Sequence, residues 1–251
     1  MKDGPEALLE RPELTFTAAG VDALLMQFGR TMNPCLPDFL AQLRETILSD
    51  LSSVVLEVVP AYTTLLVYYE PRLVRIFDLE QALTQLSDAT PWACTPWSGD
   101  PEKNESLIQV PVCYDRRVAP DLQAISEATG MSEDDIIKCH TDPIYQVYAL
   151  GFAPGFAYLG EVPKPLQIPR LAEPRTHVPA GSVGIAGAQT AVYPDDSPGG
   201  WHLIGRSPFR WFDPQSTPMT PVQVGDRIRF YGIEYDEFEA LWSKHHGEKP
   251  E

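Results

Sequence analysis

The side chains best suited to chemistry crowd into one stretch of the chain, from His140 to Asp213. Phe152, Phe156, Tyr158, Tyr193 and Trp201 are candidates for the walls of a cavity, and Arg175, Gln189, His202 and Arg206 supply a few polar groups to converge on it. That mixture suits a small polar ligand. Between Gly151 and Pro214 there are 9 Gly and 10 Pro, so many backbone amides lie outside regular structure and are available to a ligand. Pro154, Gly155, Gly199 and Gly200 belong to the candidate binding set on this ground. His140 stands just ahead of the strand leading to Gly151-Phe152-Ala153-Pro154-Gly155-Phe156. A histidine there suits proton transfer near neutral pH, and it suits equally well a cap on a preceding short helix. Composition alone leans to a plainer outcome, in which the rings fill a barrel core and the arginines make surface ion pairs.

Generic catalytic motifs do not explain this stretch. Ala180-Gly181-Ser182-Val183-Gly184 is one residue away from a nucleophile elbow, which needs a strand before the serine and a helix after it. Pro179 precedes Ser182 and no helical periodicity follows, so Ser182 reads as a turn serine and is kept as a binding residue, not a nucleophile. No GxxxxGK[ST] occurs, so any ATP is held without a P-loop in this chain. Cys139 and His140 are adjacent and therefore point in different directions, which favours a buried thiol beside a hydrogen-bonded histidine. Asp195 and Asp196 precede Ser197-Pro198-Gly199-Gly200 and read as a solvated turn. No bound metal is expected.

The elements that must position these residues can be drawn from periodicity. Leu14 to Ala18 and Ala23 to Phe28 read as strands, followed by Asn33-Pro34 as cap and first-turn proline. Leu36, Phe39, Leu40, Leu43 and Ile47 recur at helical spacing. Strands at Val54 to Val59 and Thr63 to Tyr69 come next, then a helix from near Asp78 carrying Leu79, Ala82, Leu83 and Leu86. The order ββαββα predicts an α+β domain over 1–90, sandwich-like, with its helices on one side of the sheet. Residues 89–106, with Pro91, Pro96 and Pro101, read as a linker. A second domain, 107–246, opens with the strand Leu107 to Cys113, a helix from Pro120 to a Gly130 stop, and a short helix begun by Ser132-Glu133-Asp134-Asp135 in capping-box form. Helices cannot run through the Gly/Pro-rich stretch, so short strands and tight turns must carry it, as in a barrel. Asp226 to Tyr231 alternates as a strand, and a helix from Glu234 to His245 follows.

Composition narrows the partners. With 19 basic and 35 acidic residues the net charge is −16, which repels phosphate backbones and anionic lipid headgroups. Nucleic acid and membrane are not expected as partners. The start, Met1-Lys2-Asp3-Gly4-Pro5, lacks signal-peptide character, and the reading is cytoplasmic. Cys35, Cys94, Cys113 and Cys139 lie far apart, so they are expected to be free thiols.

Two blocks, Gly151-Phe152-Ala153-Pro154-Gly155-Phe156-Ala157-Tyr158-Leu159-Gly160 and the run from Val178 to Pro208 containing VPAGSVGIAGAQTAVYP and SPGGW, closely resemble the KipI family, also called allophanate hydrolase subunit 1-like. FTAAGVDALLMQFG and VVPAYTTLLVYYEP in the first half resemble it too, so the likeness spans most of the chain. Ser207 stands where Thr usually follows the Gly-Arg pair, and Cys94 to Asn104 match loosely. The resemblance implies a small α+β domain followed by a cyclophilin-like β-barrel. It further implies one of three roles. The commonest is that of the B-type component of an ATP-dependent 5-oxoprolinase, which with A-type and C-type subunits opens 5-oxoproline to glutamate; Arg175 and Arg206 would then meet carboxylate or phosphoryl oxygens, with His140 as a third catalytic candidate. The others are inhibition of a histidine kinase by protein contact, and half of the carboxyltransferase centre of a urea/allophanate-type biotin-dependent system. The chain has no Met-Lys-Met carrier motif of its own.

Overall fold

A computed structural model describes residues 10–92 and 107–247, which divide between residues 100 and 101 into two compact units. Each unit is built around its own core.

In the first unit, β1 (Leu14–Ala18), β2 (Ala23–Phe28), α1 (Leu36–Asp50), β3 (Val55–Ala61), β4 (Thr64–Tyr69) and α2 (Ile76–Ala89) follow in chain order. The strands pair antiparallel as β1-β2-β4-β3. Alternate side chains of β2 (Leu24, Met26, Phe28) and β4 (Leu65, Val67, Tyr69) are buried, as a period of two on one sheet face requires. The helical stripe Leu36, Phe39, Leu40, Leu43, Ile47 of α1, with Leu79 and Leu83 of α2, closes over them. Each such side chain contributes about 1.5–3 kcal/mol by leaving water. The start of α1 differs from expectation. Asn33 Oδ1 accepts from the Cys35 backbone N–H at 2.9 Å, making a turn before the helix, and the first-turn proline is Pro37. Cys35 is also not a free thiol but disulfide-bonded, whereas Cys113 and Cys139 are free as expected. Cys94 and most of the expected linker lie outside the described residues.

In the second unit the elements are β5 (Leu107–Cys113), α3 (Leu122–Thr129), α4 (Glu133–Thr141), β6 (Tyr145–Leu150), β7 (Ala157–Gly160), β8 (Arg175–Val178), β9 (Ser182–Ala186), β10 (Gln189–Val192), β11 (Ser197–Gly199), β12 (His202–Arg206), β13 (Arg227–Ile233) and α5 (Tyr235–His246). Seven strands pair in the order β6-β13-β5-β12-β9-β10-β7, and β7 pairs back onto β6. The sheet is therefore a closed barrel, which leaves no open edge among these strands. The chain is α+β. Strands β8 and β11 pair separately as a two-stranded arm. Local signals act as chemistry dictates at the helix ends. Ser132 Oγ accepts from the Asp135 N–H at 3.1 Å, and Gly130 ends α3 with φ +72°. Among the described residues no helix is long and apolar enough to cross a membrane.

Candidate functional site

Strands β9, β10 and β12 have two faces, and alternation sends different residues to each. Val183, Ile185, Val192 and Ile204 point into the barrel core. Ala186, Ala191, Tyr193 and Leu203 join Phe156, Val178 and Trp201 in a separate cluster on the outer face. The aromatic candidates are assembled there. Phe156 packs edge-on against Tyr158 (4.8 Å), Tyr193 (5.4 Å) and Trp201 (5.9 Å), and Phe152 meets Phe156 at 5.2 Å. These rings do not fill the barrel, contrary to the composition-based leaning.

Glycine makes the assembly possible. A Cβ on Gly184 would stand 3.1 Å from Trp201 Cβ, and one on Gly199 would land on the Tyr193 hydroxyl. The rings can reach the strand backbone because those positions carry no side chain. Gly155, with φ +82°, turns the loop so closely over Trp211 and Phe212 that a Cβ would lie 2.6 Å from the Trp211 carbonyl oxygen. At the tip of this loop Phe152 has φ +76° and is 63 % exposed. A bulky residue in the left-handed region is strained, and this ring is held there while largely exposed.

The polar candidates divide into three places. Arg175 belongs to the aromatic face: its Nη2 donates to Asp121 Oδ1 at 2.5 Å and its Nη1 to the Trp201 carbonyl at 3.3 Å. Asp121 Oδ2 also accepts from the Leu203 N–H at 2.6 Å, so this carboxylate clamps β8 and β12 together instead of capping α3. Burial pushes the Tyr193 phenol up; a hydrogen bond from the Trp201 backbone and the charges of Arg170 and Arg175 pull against that rise. His202 donates through Nε2 to the Pro169 carbonyl at 3.1 Å, and its buried Nδ1 has no partner among the described residues. Pro154 is exposed at the loop tip, Gly200 lies beside Pro174, Gln189 opens β10, and Ser182 is buried at the start of β9. A strand, not a helix, follows Ser182, so the elbow geometry is absent.

Arg206 occupies a second place. It is only 6 % exposed, its Nε donates to the Ala180 carbonyl at 2.7 Å, and its guanidinium lies 4.3 Å from the centre of the Trp242 ring. Burial pulls its pKa down. Four residues along β12 separate it from the end that Arg175 serves, about 13 Å of strand, and the two guanidiniums do not converge.

His140 occupies the third, inside the barrel. It is fully buried and stacked on Phe230 with centroids 4.7 Å apart. Its Nδ1 lies 2.8 Å from the Tyr114 hydroxyl and its Nε2 2.9 Å from Thr190 Oγ1. Thr190 gives its own proton to the Gly184 carbonyl at 3.0 Å, so it must accept from Nε2–H, and Nδ1 accepts from Tyr114. The ring is a neutral bridge, and desolvation holds its pKa down to about 3. Its side chain does not cap α4.

One residue of this face was not among the sequence candidates. Arg170 lies with its guanidinium 5.9 Å from the Trp201 ring centre, and only the fold that returns β12 to the 168–171 segment reveals it. Among the described residues no group of three or more His, Cys, Asp or Glu side chains is gathered to hold a metal ion.

The family model described as "Carboxyltransferase domain, subdomain C and D" matches residues 14–222. The chain belongs to this family. Within the carboxyltransferase C/D family it is 33% identical over 237 residues to the 5-oxoprolinase B subunit of Bacillus subtilis (strain 168), covering 88% of this chain and 93% of that protein. It is 46% identical over 129 residues to the 5-oxoprolinase B subunit of Escherichia coli O157:H7, covering 51% of this chain and 59% of that protein. The crystal structure of TTHA0988 superposes with a TM-score of 0.72 at 33% identity, over 84% of this chain and 40% of the other. The chain thus spans less than half the length of that solved structure.

Proposed function

We infer that this carboxyltransferase C/D family chain works as the B-type component of an ATP-dependent 5-oxoprolinase in the cytoplasm, joined to a C-type and an A-type subunit and opening 5-oxo-L-proline to L-glutamate. The observation that carries the reading is identity running through nearly the whole of the Bacillus subtilis 5-oxoprolinase chain. We read the barrel as cyclophilin-like and its outer aromatic face as the part offered to the substrate: Phe152, Pro154, Gly155, Phe156, Tyr158, Gln189, Tyr193, Gly199, Gly200, Trp201 and His202, with Ser182 behind them.

Lactam resonance makes the ring carbonyl a poor electrophile. In this reading ATP phosphorylates the lactam oxygen, water adds to the activated carbon, and the ring C–N bond breaks with the protonated amine leaving. Hydrolysis of the resulting acyl phosphate releases glutamate and phosphate. The described residues do not fit a phosphate cradle by themselves. Arg206 is roofed by Trp242, Arg175 is committed to Asp121, and His140 is sealed in the core. No step through the nucleotide is therefore assigned to them, and its phosphates are expected to meet the partner subunit. Arg175 acts in this reading as a positioning residue that holds the Trp201 backbone in place.

The test is co-expression with the C-type and A-type subunits, followed by assay of ATP-dependent glutamate release. We expect a stable complex that is active and an isolated chain that is not. Turnover by the chain alone, or a complex that forms but yields no glutamate, would overturn the assignment. The carboxyltransferase description of the family supports a second reading, carboxyl transfer from a separate biotin carrier, and a complex active only with carboxybiotin would establish it.

A further inference from the structure

Arg170 is held where it is by its neighbours on both sides. His202 Nε2 donates to the carbonyl of Pro169 at 3.1 Å, the Leu171 N–H donates to the Gly200 carbonyl at 2.8 Å, and the Gly187 N–H donates to the Ile168 carbonyl at 2.6 Å. Three hydrogen bonds from residues distant in the chain thus pin the backbone on both sides of Arg170. Pinned in that way, the backbone delivers the Arg170 guanidinium to the rim of the aromatic cluster, above Trp201.

The other arginine of this face is already engaged: Arg175 is paired with Asp121. Arg170 is exposed, and among the described residues it forms no ion pair. In a chain of net charge −16, an uncompensated guanidinium over Trp201 and near Tyr193 is a local reversal of the prevailing potential. A small anion is drawn to such a spot, and the planar fork matches a carboxylate through two parallel hydrogen bonds. The adjacent rings of Trp201, Tyr193 and Phe152 offer flat apolar surface for whatever carries the carboxylate. The Tyr193 hydroxyl already accepts from the Trp201 backbone and still has its proton to donate.

From this arrangement we propose that Arg170 is the carboxylate-binding residue of the outer face, and that the ligand it takes is a small cyclic carboxylate whose ring lies against Phe152 and Trp201. The proposal deepens the oxoprolinase reading, in which the substrate is such a molecule, but its binding chemistry is testable apart from turnover.

The full chain and its complex with the partner subunits are titrated with 5-oxo-L-proline, with cyclopentanecarboxylate, which keeps the ring and charge but has no lactam, and with the uncharged amide of 5-oxoproline. Binding is read by tryptophan fluorescence and calorimetry. Both carboxylates should bind, and the amide should bind far more weakly. Arg170→Gln should weaken the carboxylates roughly tenfold or more, Arg170→Lys should recover part of that, and Arg116→Gln, whose charge is paired with Glu133, should change nothing. In an active complex Arg170→Gln should raise KM for 5-oxoproline more than it lowers kcat. Carboxylate binding that depends on Arg170 in a complex that releases no glutamate would sink the oxoprolinase reading and leave this one standing. Equal affinity of the carboxylates for wild type and Arg170→Gln, or no carboxylate binding by either chain or complex, overturns it.

Discussion

The two faces of β9, β10 and β12 are made by the same strands and differ in almost every other respect. Inward, the side chains of these strands are aliphatic apart from Thr190, and the buried His140 ring that meets them is kept neutral with both nitrogens matched. Outward, the side chains are aromatic, two arginines stand beside them, and a strained phenylalanine projects into water. Gly184 belongs to both faces: its carbonyl takes the Thr190 proton on the inner side, while its missing side chain makes room for Trp201 on the outer. Position along a strand therefore assigns one residue to the barrel core and its neighbour to the outer face proposed for binding. Substitutions on the two faces should separate stability from binding.

The largest expected effect lies inside. Phe230→Ala removes a fully buried ring stacked on His140 and should cost about 3–5 kcal/mol of barrel stability. Urea unfolding followed by barrel tryptophans measures it. A loss below about 1 kcal/mol would show that the inner face is not the stabilising one.

A smaller effect should come from pH. The folded pKa of His140, about 3, lies below its ordinary value of 6.5, so the unfolded chain takes up a proton that the native chain refuses. Stability contributed by the neutral ring is complete above about pH 6.5 and is lost as pH falls towards 3, with a slope approaching about 1.4 kcal/mol per pH unit. His140→Gln keeps some hydrogen bonding but does not titrate there. It should be less stable than wild type at pH 7, and its stability should fall less steeply between pH 6.5 and 4.5. Parallel curves for the two proteins would mean that His140 is protonated in the fold and not sealed as the inner face requires.

Much of this contrast can be read in the sequence, and the unread part has a physical cause. Local signals gave the strands of the first unit, the Ser132 cap, the Gly130 stop and the barrel behind the Gly/Pro-rich stretch, because periodicity and turn chemistry are set by near neighbours. The aromatic candidates do pack together, but their place on the outer face depends on which strands close the barrel. Arg175 and Arg206 look alike in sequence, and only the fold commits one to Asp121 and places the other under Trp242. Arg170 was missed for the same reason. What distinguishes it is a pair of hydrogen bonds to residues some thirty positions away, and no local pattern announces them.

The smallest effect on stability should come from the outer face, at Phe152, and it tests whether that face holds strain for a purpose. Phe152→Ala removes a largely exposed ring and its edge contacts with Phe156 and Tyr193, but it keeps a side chain at φ +76°. Phe152→Gly removes the ring and the steric conflict together. A non-glycine residue in the left-handed region costs about 1–2 kcal/mol, partly offset by the greater freedom of glycine in the unfolded chain. The glycine variant should therefore be more stable than the alanine variant by about 1 kcal/mol. Both should bind small cyclic carboxylates less well than wild type, because both lose the ring. If the two variants are equally stable, the tip is not strained; if either keeps full affinity, Phe152 is no part of the binding face. Glycine above alanine in stability, with both below wild type in binding, would show that the chain gives up stability at this position to keep an aromatic ring exposed there.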